Sequence, residues 1–294
     1  MQTEPTMAAY LQRLAHQLSA VYAAHPRCRA IILTGSAAEG LSDRLSDLDL
    51  ILYYEELPTE DELRVGRERS SGGERTWLMD DRAEGALFEA YPVRGVECQC
   101  GHVTLARWER DVAEVLVRHT VETPLHKAMD GMLHAIPLHG EPLVRQWQQR
   151  IAAFPPELAE GMVRHYLSFF PLWSLQDRLG TRDAVLWVVQ GLTEAAYHVL
   201  GVLAGLNRRY FTPFQFKRLR RFVETLDIAP EDLADRLERL VLVDQAMAGP
   251  ALAALVAETV ALVEHHMPQV DTTPVRRQLG RRASPWAPDW DALR

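Results

Sequence analysis

The chain has 294 residues, 47% hydrophobic and 24% charged, an ordinary globular balance with enough length for two domains. Its formal net charge of −8 argues against a nucleic-acid binder that depends on a broad basic face, and is compatible with a cationic small molecule. Three cysteines, Cys28, Cys98 and Cys100, make an odd set that does not read as a disulfide framework and points to a reducing, cytoplasmic setting.

The opening residues "MQTEPTMAAYLQRLAHQLSAVY" lack a basic start followed by an apolar core, so no signal peptide is expected. No uninterrupted apolar run approaches about 18 residues, so no membrane span is expected either. Met7, Tyr10, Leu11, Leu14, Leu18, Val21 and Tyr22 recur at gaps that give one apolar helix face, closed by Pro26. "RAIILTGS" then reads as a buried strand entering a Gly-Ser turn, and "DLDLILYY" as a second strand. A polar stretch follows, with "SSGGE" at 70–74 as its loop. "GALFEAYPVRGVECQCGHV" reads as a hairpin turning between Pro92 and Gly95. In its second arm Val96, Cys98 and Cys100 share one face, and Glu97 and Gln99 the other. Thr104 is a candidate cap for a helix running to about residue 118. Thr123-Pro124 starts another helix, and "AIPLHGE" offers a last short strand.

From about residue 141 the pattern becomes helical throughout. Thr181 is the candidate cap of a helix ending near Asn207, and Thr212-Pro213 opens "TPFQFKRLRRFVETL". Two more helices fit "PEDLADRLERLVLVD" and "GPALAALVAETVALVEHHM". Pro171 should break the helix it interrupts, while Trp173 and Trp187 are expected in the core. The tail from Pro268 is expected to be extended, docked against the rest of the chain or partly disordered. The fold class is therefore α+β: a mixed β-sheet flanked by helices over residues 1–140, a helical bundle over 141–267, and a tail over 268–294. There is no internal repeat at periods of about 20 to 50 residues.

Asp47 and Asp49 sit at i and i+2, so in a strand both project to one face. Two like charges that close repel unless a positive partner lies between them. Gly35-Ser36 lies in the turn leaving the preceding strand, and Glu97 sits on a third strand away from its apolar face. If those strands are neighbours, three carboxylates and a glycine-containing turn converge. Hard divalent cations take oxygen ligands, typically one or two carboxylates plus substrate phosphates. Asp-x-Asp alone is a common strand end, and Gly-Ser alone is weaker; the ordered combination is far more specific. Cys98-x-Cys100 invites a metal reading, but alternation turns both thiols toward the core, and eleven scattered histidines form no ligand pattern.

"GSAAEGLSDRLSDLDL" with "RGVECQC" downstream resembles the nucleotidyltransferase superfamily that includes DNA polymerase beta, and within it most the streptomycin and spectinomycin adenylyltransferases. The shared features are the Gly-Ser, the tract ending in Ser46-Asp47, and a glutamate in an Arg-x-Val-Glu context, here Arg94 to Glu97. The motif match covers about a third of the chain; in the bundle the likeness is architectural. "VLAGLNRRYFTPFQFKRLRRF" also resembles bacterial nucleotidyltransferase-like proteins. The resemblance implies that Asp47 and Asp49 bind two Mg²⁺ ions holding the triphosphate of ATP or another NTP. Gly35, Ser36 and Ser46 would contact phosphates. Glu97 would ligate a metal or take the proton from the attacking hydroxyl, and the aminoglycoside branch favours the second role. Lys217, on a run that otherwise reads as a solvated helix face, would reach the triphosphate. Asp183 and Glu194 would either bind an amine-bearing acceptor or serve as ordinary helix charge.

The expected activity is transfer of a nucleoside monophosphate, AMP from ATP, to a hydroxyl of a small-molecule acceptor, first an aminoglycoside-type antibiotic. Two alternatives stay open: the same chemistry on a protein or other metabolite, and an antitoxin-like or regulatory nucleotide-binding module. Neither a nucleic-acid nor a membrane partner is expected, and monomer and homodimer are both open.

Overall fold

A computed structural model describes residues 6–179, 182–242, 245–284 and 286–289. It divides into two compact units, Met1–Thr120 with Pro124–Phe154, and Val121–Thr123 with Pro155–Arg294.

The first unit is built on a six-stranded mixed sheet. Thr6 opens helix α1 (Met7–Ala23) by accepting the Ala9 N–H at 3.2 Å. Strand β1 (Cys28–Thr34) follows and runs into a single helical turn, α2 (Gly35–Ala38). Strand β2 (Leu48–Tyr54) returns antiparallel to β1. Helix α3 (Glu60–Arg69) begins with a complete capping box between Thr59 and Glu62. Strand β3 (Trp77–Asp81) is short and exposed on nearly all its residues. Its sequence, "WLMDD", lacks alternation, so the polar stretch gave no sign of it. Strands β4 (Ala86–Val93) and β5 (Val96–Thr104) form the expected hairpin, turning through Arg94 and Gly95 at positive φ. Thr104 caps α4 (Leu105–Leu116) as expected. After α5 (Leu125–His134), strand β6 (Ile136–His139) joins the free edge of β1, and α6 (Glu141–Ala152) closes the unit. Strand order is β3-β4-β5-β2-β1-β6, all neighbours antiparallel except β2 and β5. Residues 141–154 thus pack with the sheet, where the sequence placed them with the bundle, because Val144, Trp147 and Ile151 form a buried face on α6.

Alternation along β2 divides the core. Leu48, Leu50, Leu52 and Tyr54 pack with Leu11, Leu14, Leu18 and Tyr22 of α1 and with Cys98 and Cys100 of β5. Burying each such leucine contributes about 1.5–3 kcal/mol. On the other face Tyr53 packs against Trp108 of α4 and Trp147 of α6, at ring separations of 5.4 and 4.7 Å. One buried charge group also holds α3 to the sheet. Glu89 of β4 is fully buried and accepts from Arg67 of α3 at 2.5 Å, with His102 of β5 beside it at 3.4 Å. Burial pushes the Glu89 carboxyl up, but His102, Arg67 and Arg75 outweigh that and hold it below the ordinary carboxylate value.

The second unit is helical: α7 (Pro156–Tyr166), α8 (Leu172–Ser174), α9 (Val185–Leu206), α10 (Leu219–Glu224), α11 (Leu233–Leu242), α12 (Gln245–His266) and α13 (Thr273–Leu279). α9 crosses α7 closely at Gly201, where a Cβ would stand 2.2 Å from the Tyr166 ring. By length and composition, Val185–Leu206 and Ala248–His266 are both long and apolar enough to cross a membrane; 44% of each window is buried inside the protein.

Several expectations change here. The expected cap Thr181 lies outside the described residues, and so does Asp244, the expected end of another helix. The Thr212-Pro213 start is not used: Thr212 accepts from the Phe214 N–H instead, and Gln215 and Arg218 take positive φ. The cause is aromatic packing. Phe216 turns inward between Phe211 (5.3 Å) and Phe222 (5.4 Å), which a continuous helix would not allow. Trp187 is 54% exposed rather than core, on the open side of the first turn of α9. Trp173 is half-buried, with Arg281 over its ring at 4.6 Å. Pro171 stands between α7 and α8, as a helix breaker should. The tail is not simply extended either. It contains α13, held by an Arg276–Glu264 ion pair, and the Asp177 carboxylate accepts from Arg282 and from the Ala283 N–H.

Candidate active site

The two faces of β2 are covered unequally along its length. On the Tyr53 face, cover thins from Tyr53, which is buried, through Ile51, which is half-buried, to Asp49 and Asp47, both partly exposed. The carboxylates therefore project where helical packing runs out, at the start of the strand. Antiparallel pairing sets Thr34, the last residue of β1, opposite Asp49. Parallel pairing sets Leu48 opposite Cys98 and Asp49 opposite Gln99. Asp47 and Glu97 each precede a paired residue by one, so they stand level on neighbouring strands.

Contacts tie these groups together. Gln99 Nε2 donates to Asp47 Oδ2 at 2.9 Å and to Glu97 Oε1 at 3.1 Å. On the other side, Gly35 adopts φ +66°, and a Cβ there would lie 2.1 Å from Asp49 Oδ2. Only glycine allows both the backbone conformation and that approach. Ser36 follows, its hydroxyl 3.2 Å from that of Ser42. The structure thus gathers Gly35, Ser36, Asp47, Asp49 and Glu97 at one end of β1, β2 and β5. Ser46 is placed differently. Its hydroxyl accepts from the Asp43 N–H at 2.9 Å and donates to Asp43 Oδ1 at 3.2 Å, so it braces the loop leading into Asp47. Lys217 belongs to the second unit, exposed in the irregular segment before α10. Asp183 and Glu194 are exposed in that unit too, with Gln190 donating to Glu194 at 2.8 Å.

The donor set is chemically suited to a hard cation. Asp47, Asp49 and Glu97 offer only oxygen, and Asp47 and Glu97 already converge on one shared donor. Among the described residues, no group of three or more His, Cys, Asp or Glu side chains is arranged to hold a metal ion. An ion here would rest on one or two carboxylates and complete its shell with phosphate oxygens and water. Cys98 and Cys100 are buried on the opposite face. Burial, with a smaller push from Glu97, raises the Cys98 thiol to about 12, so it remains a neutral core group. A cavity of about 320 Å³ between α1 and α3, lined by Tyr22, His25, Tyr54 and Leu63, lies on that face as well and contains none of Asp47, Asp49 and Glu97.

Sequence reasoning missed two features. Alternation put Gln99 beside Glu97, but an amide between two acids belongs to no motif that would assign it a role. The Glu89–Arg67–His102 group was signalled only by a charge inside the apolar strand "ALFEAYPV".

No protein-family model matches the chain, and no curated protein matches its sequence. Among the solved structures similar to it are the following two. One is a nucleotidyltransferase-like protein from Exiguobacterium sibiricum 255-15, 13% identical, with 94% of this chain and 82% of that one covered and a TM-score of 0.44. The other is Cid1 in complex with its short product ApU, 14% identical, with 87% of this chain and 65% of that one covered and a TM-score of 0.25.

Proposed function

We propose that the chain is a Mg²⁺-dependent nucleotidyltransferase that moves a nucleoside monophosphate, AMP from ATP, onto a hydroxyl of a small molecule. The acceptor we put first is an aminoglycoside-type antibiotic, whose cationic character suits a net charge of −8. The observation that carries the proposal is the gathering of Asp47, Asp49 and Glu97 at one open strand end, with Asp49 against the Gly35 backbone.

In this mechanism Asp47 and Asp49 would hold the metal. Such an ion would supply charge neutralisation to the triphosphate and to the leaving group. The Gly35 backbone and the Ser36 hydroxyl grip the phosphates. Ser46 keeps the preceding loop in shape. The acceptor oxygen attacks the α-phosphorus, and an O–P bond forms while the bond to the β-phosphate bridging oxygen breaks. Pyrophosphate leaves toward Gly35 and Ser36, and the hydroxyl proton passes to Glu97. Positioning and charge neutralisation supply most of the rate. We place this chemistry in the cytosol, where NTP and Mg²⁺ are plentiful, and in a soluble protein.

The test is pyrophosphate release from each of the four NTPs with Mg²⁺, across a panel of aminoglycosides and lincosamides. Release that needs one drug and falls at least about 10²-fold in Asp49→Asn supports the proposal. Silence across the panel with Mg²⁺-dependent ATP binding intact removes the antibiotic acceptor; no nucleotide binding at all removes the enzyme.

A further inference from the structure

The side-chain amide of Gln99 joins Asp47 to Glu97. Its NH₂ end carries two hydrogens and no lone pair available for bonding, so it can serve two carboxylates at once and can face them in no other way. The spacing uses both hydrogens, at 2.9 Å to Asp47 Oδ2 and 3.1 Å to Glu97 Oε1. Without it, two like charges would stand level on adjacent parallel strands, an arrangement that destabilises a sheet. The amide therefore sits where the two carboxylates would draw a positive charge, and it does so without neutralising either. Gln99 and Glu97 are both solvent-exposed, so an ion can reach Asp47 Oδ2 and displace one of these two bonds.

We propose that Gln99 is a positioning residue that competes with the divalent cation for Asp47. When the ion binds, Gln99 releases Asp47 Oδ2 but keeps its second hydrogen on Glu97. That remaining bond holds Glu97 off the ion, leaving its carboxylate available to take the acceptor proton. Gln99 thus sets the affinity for the ion and divides the work between two acids that would otherwise both be ligands. This inference rests on the nucleotidyl-transfer function proposed above.

Gln99→Met separates this role from a merely structural one, since methionine keeps the length and removes the donor. The measurement is Mn²⁺ binding followed by electron paramagnetic resonance, on the full chain with α,β-methylene-ATP present, so that no turnover enters the readout. Wild type is expected to bind Mn²⁺ in a manner lost in Asp47→Asn. Gln99→Met is expected to bind it about three- to tenfold more tightly, because one competing hydrogen bond is gone. In turnover the same variant should show a lower KM for Mg²⁺ together with a lower kcat, as Glu97 closes onto the ion. Gln99→Glu, which also removes the donor and adds a charge, should bind Mn²⁺ more tightly still. Unchanged or weaker Mn²⁺ binding in Gln99→Met, with Asp47-dependent binding intact in wild type, overturns the role of Gln99 alone. No Asp47-dependent binding in wild type overturns the nucleotidyl-transfer function, and this inference with it.

Discussion

At Gly35, the backbone conformation and the nearest side chain impose the same requirement. The positive φ disfavours any Cβ, and the nearest atom to such a Cβ would be a carboxylate oxygen of Asp49 at 2.1 Å. Gly35→Ala is therefore expected to lower stability by about 1–3 kcal/mol and to push Asp49 out of place. Denaturant unfolding reads the first effect, and Mg²⁺-dependent nucleotide binding the second. A variant with unchanged stability and binding would show that this approach is not part of the site. Asp47, Asp49 and Glu97 were legible in the sequence because strand alternation fixes which face each occupies. The contacts of Gln99 were not, since the one to Asp47 arises from register between two strands far apart in the chain. Ser46 shows the converse: its place in the motif pointed to phosphate, while its nearest partner is Asp43.

Among the elements, α3 depends on its N-terminus. The Thr59 backbone N–H donates to Glu62 at 2.7 Å, and this bond is the main reason the Glu62 carboxyl is held down at about 2. Burial is the next largest influence and opposes it, while the Thr59 hydroxyl, Arg27 and His25 add to it. Because the folded value lies below the ordinary 4.5, the stabilisation is fully present above about pH 4.5 and is lost as pH falls toward 2. Thr59→Ala should cost about 1 kcal/mol at neutral pH. Glu62→Gln should flatten the loss of stability between pH 4.5 and 2, measured by urea unfolding at each pH. An unaltered acid limb in Glu62→Gln would place that dependence on other carboxylates. Strands β1, β2, β4 and β5 were readable from apolar runs and a two-residue turn. β3 was not, having three exposed apolar residues and no period. The start predicted at Thr212 failed for a tertiary reason, the insertion of Phe216 among Phe211 and Phe222, which local capping signals cannot anticipate.

For the whole molecule, the change from strand to helix periodicity gave the α+β class and the helical character of the second unit. The place of division was harder to see. α6 is an amphipathic helix like those after it, and only its contact with the sheet assigns it to the first unit. Trp187 misled for a related reason: large aromatic residues are usually covered, and nothing in the sequence marks the open side of α9. The net charge of −8 is legible from composition alone. The central claim, however, is chemical: attack at the α-phosphorus by an acceptor hydroxyl. The most direct measurement uses ATP labelled either at the α- or at the γ-phosphorus, with Mg²⁺ and streptomycin or spectinomycin, and asks which label reaches the drug. The account predicts that the α label appears on the acceptor, the γ label in pyrophosphate, and neither product in Asp49→Asn. A γ label on the acceptor would contradict it; no label on either drug would remove those two acceptors.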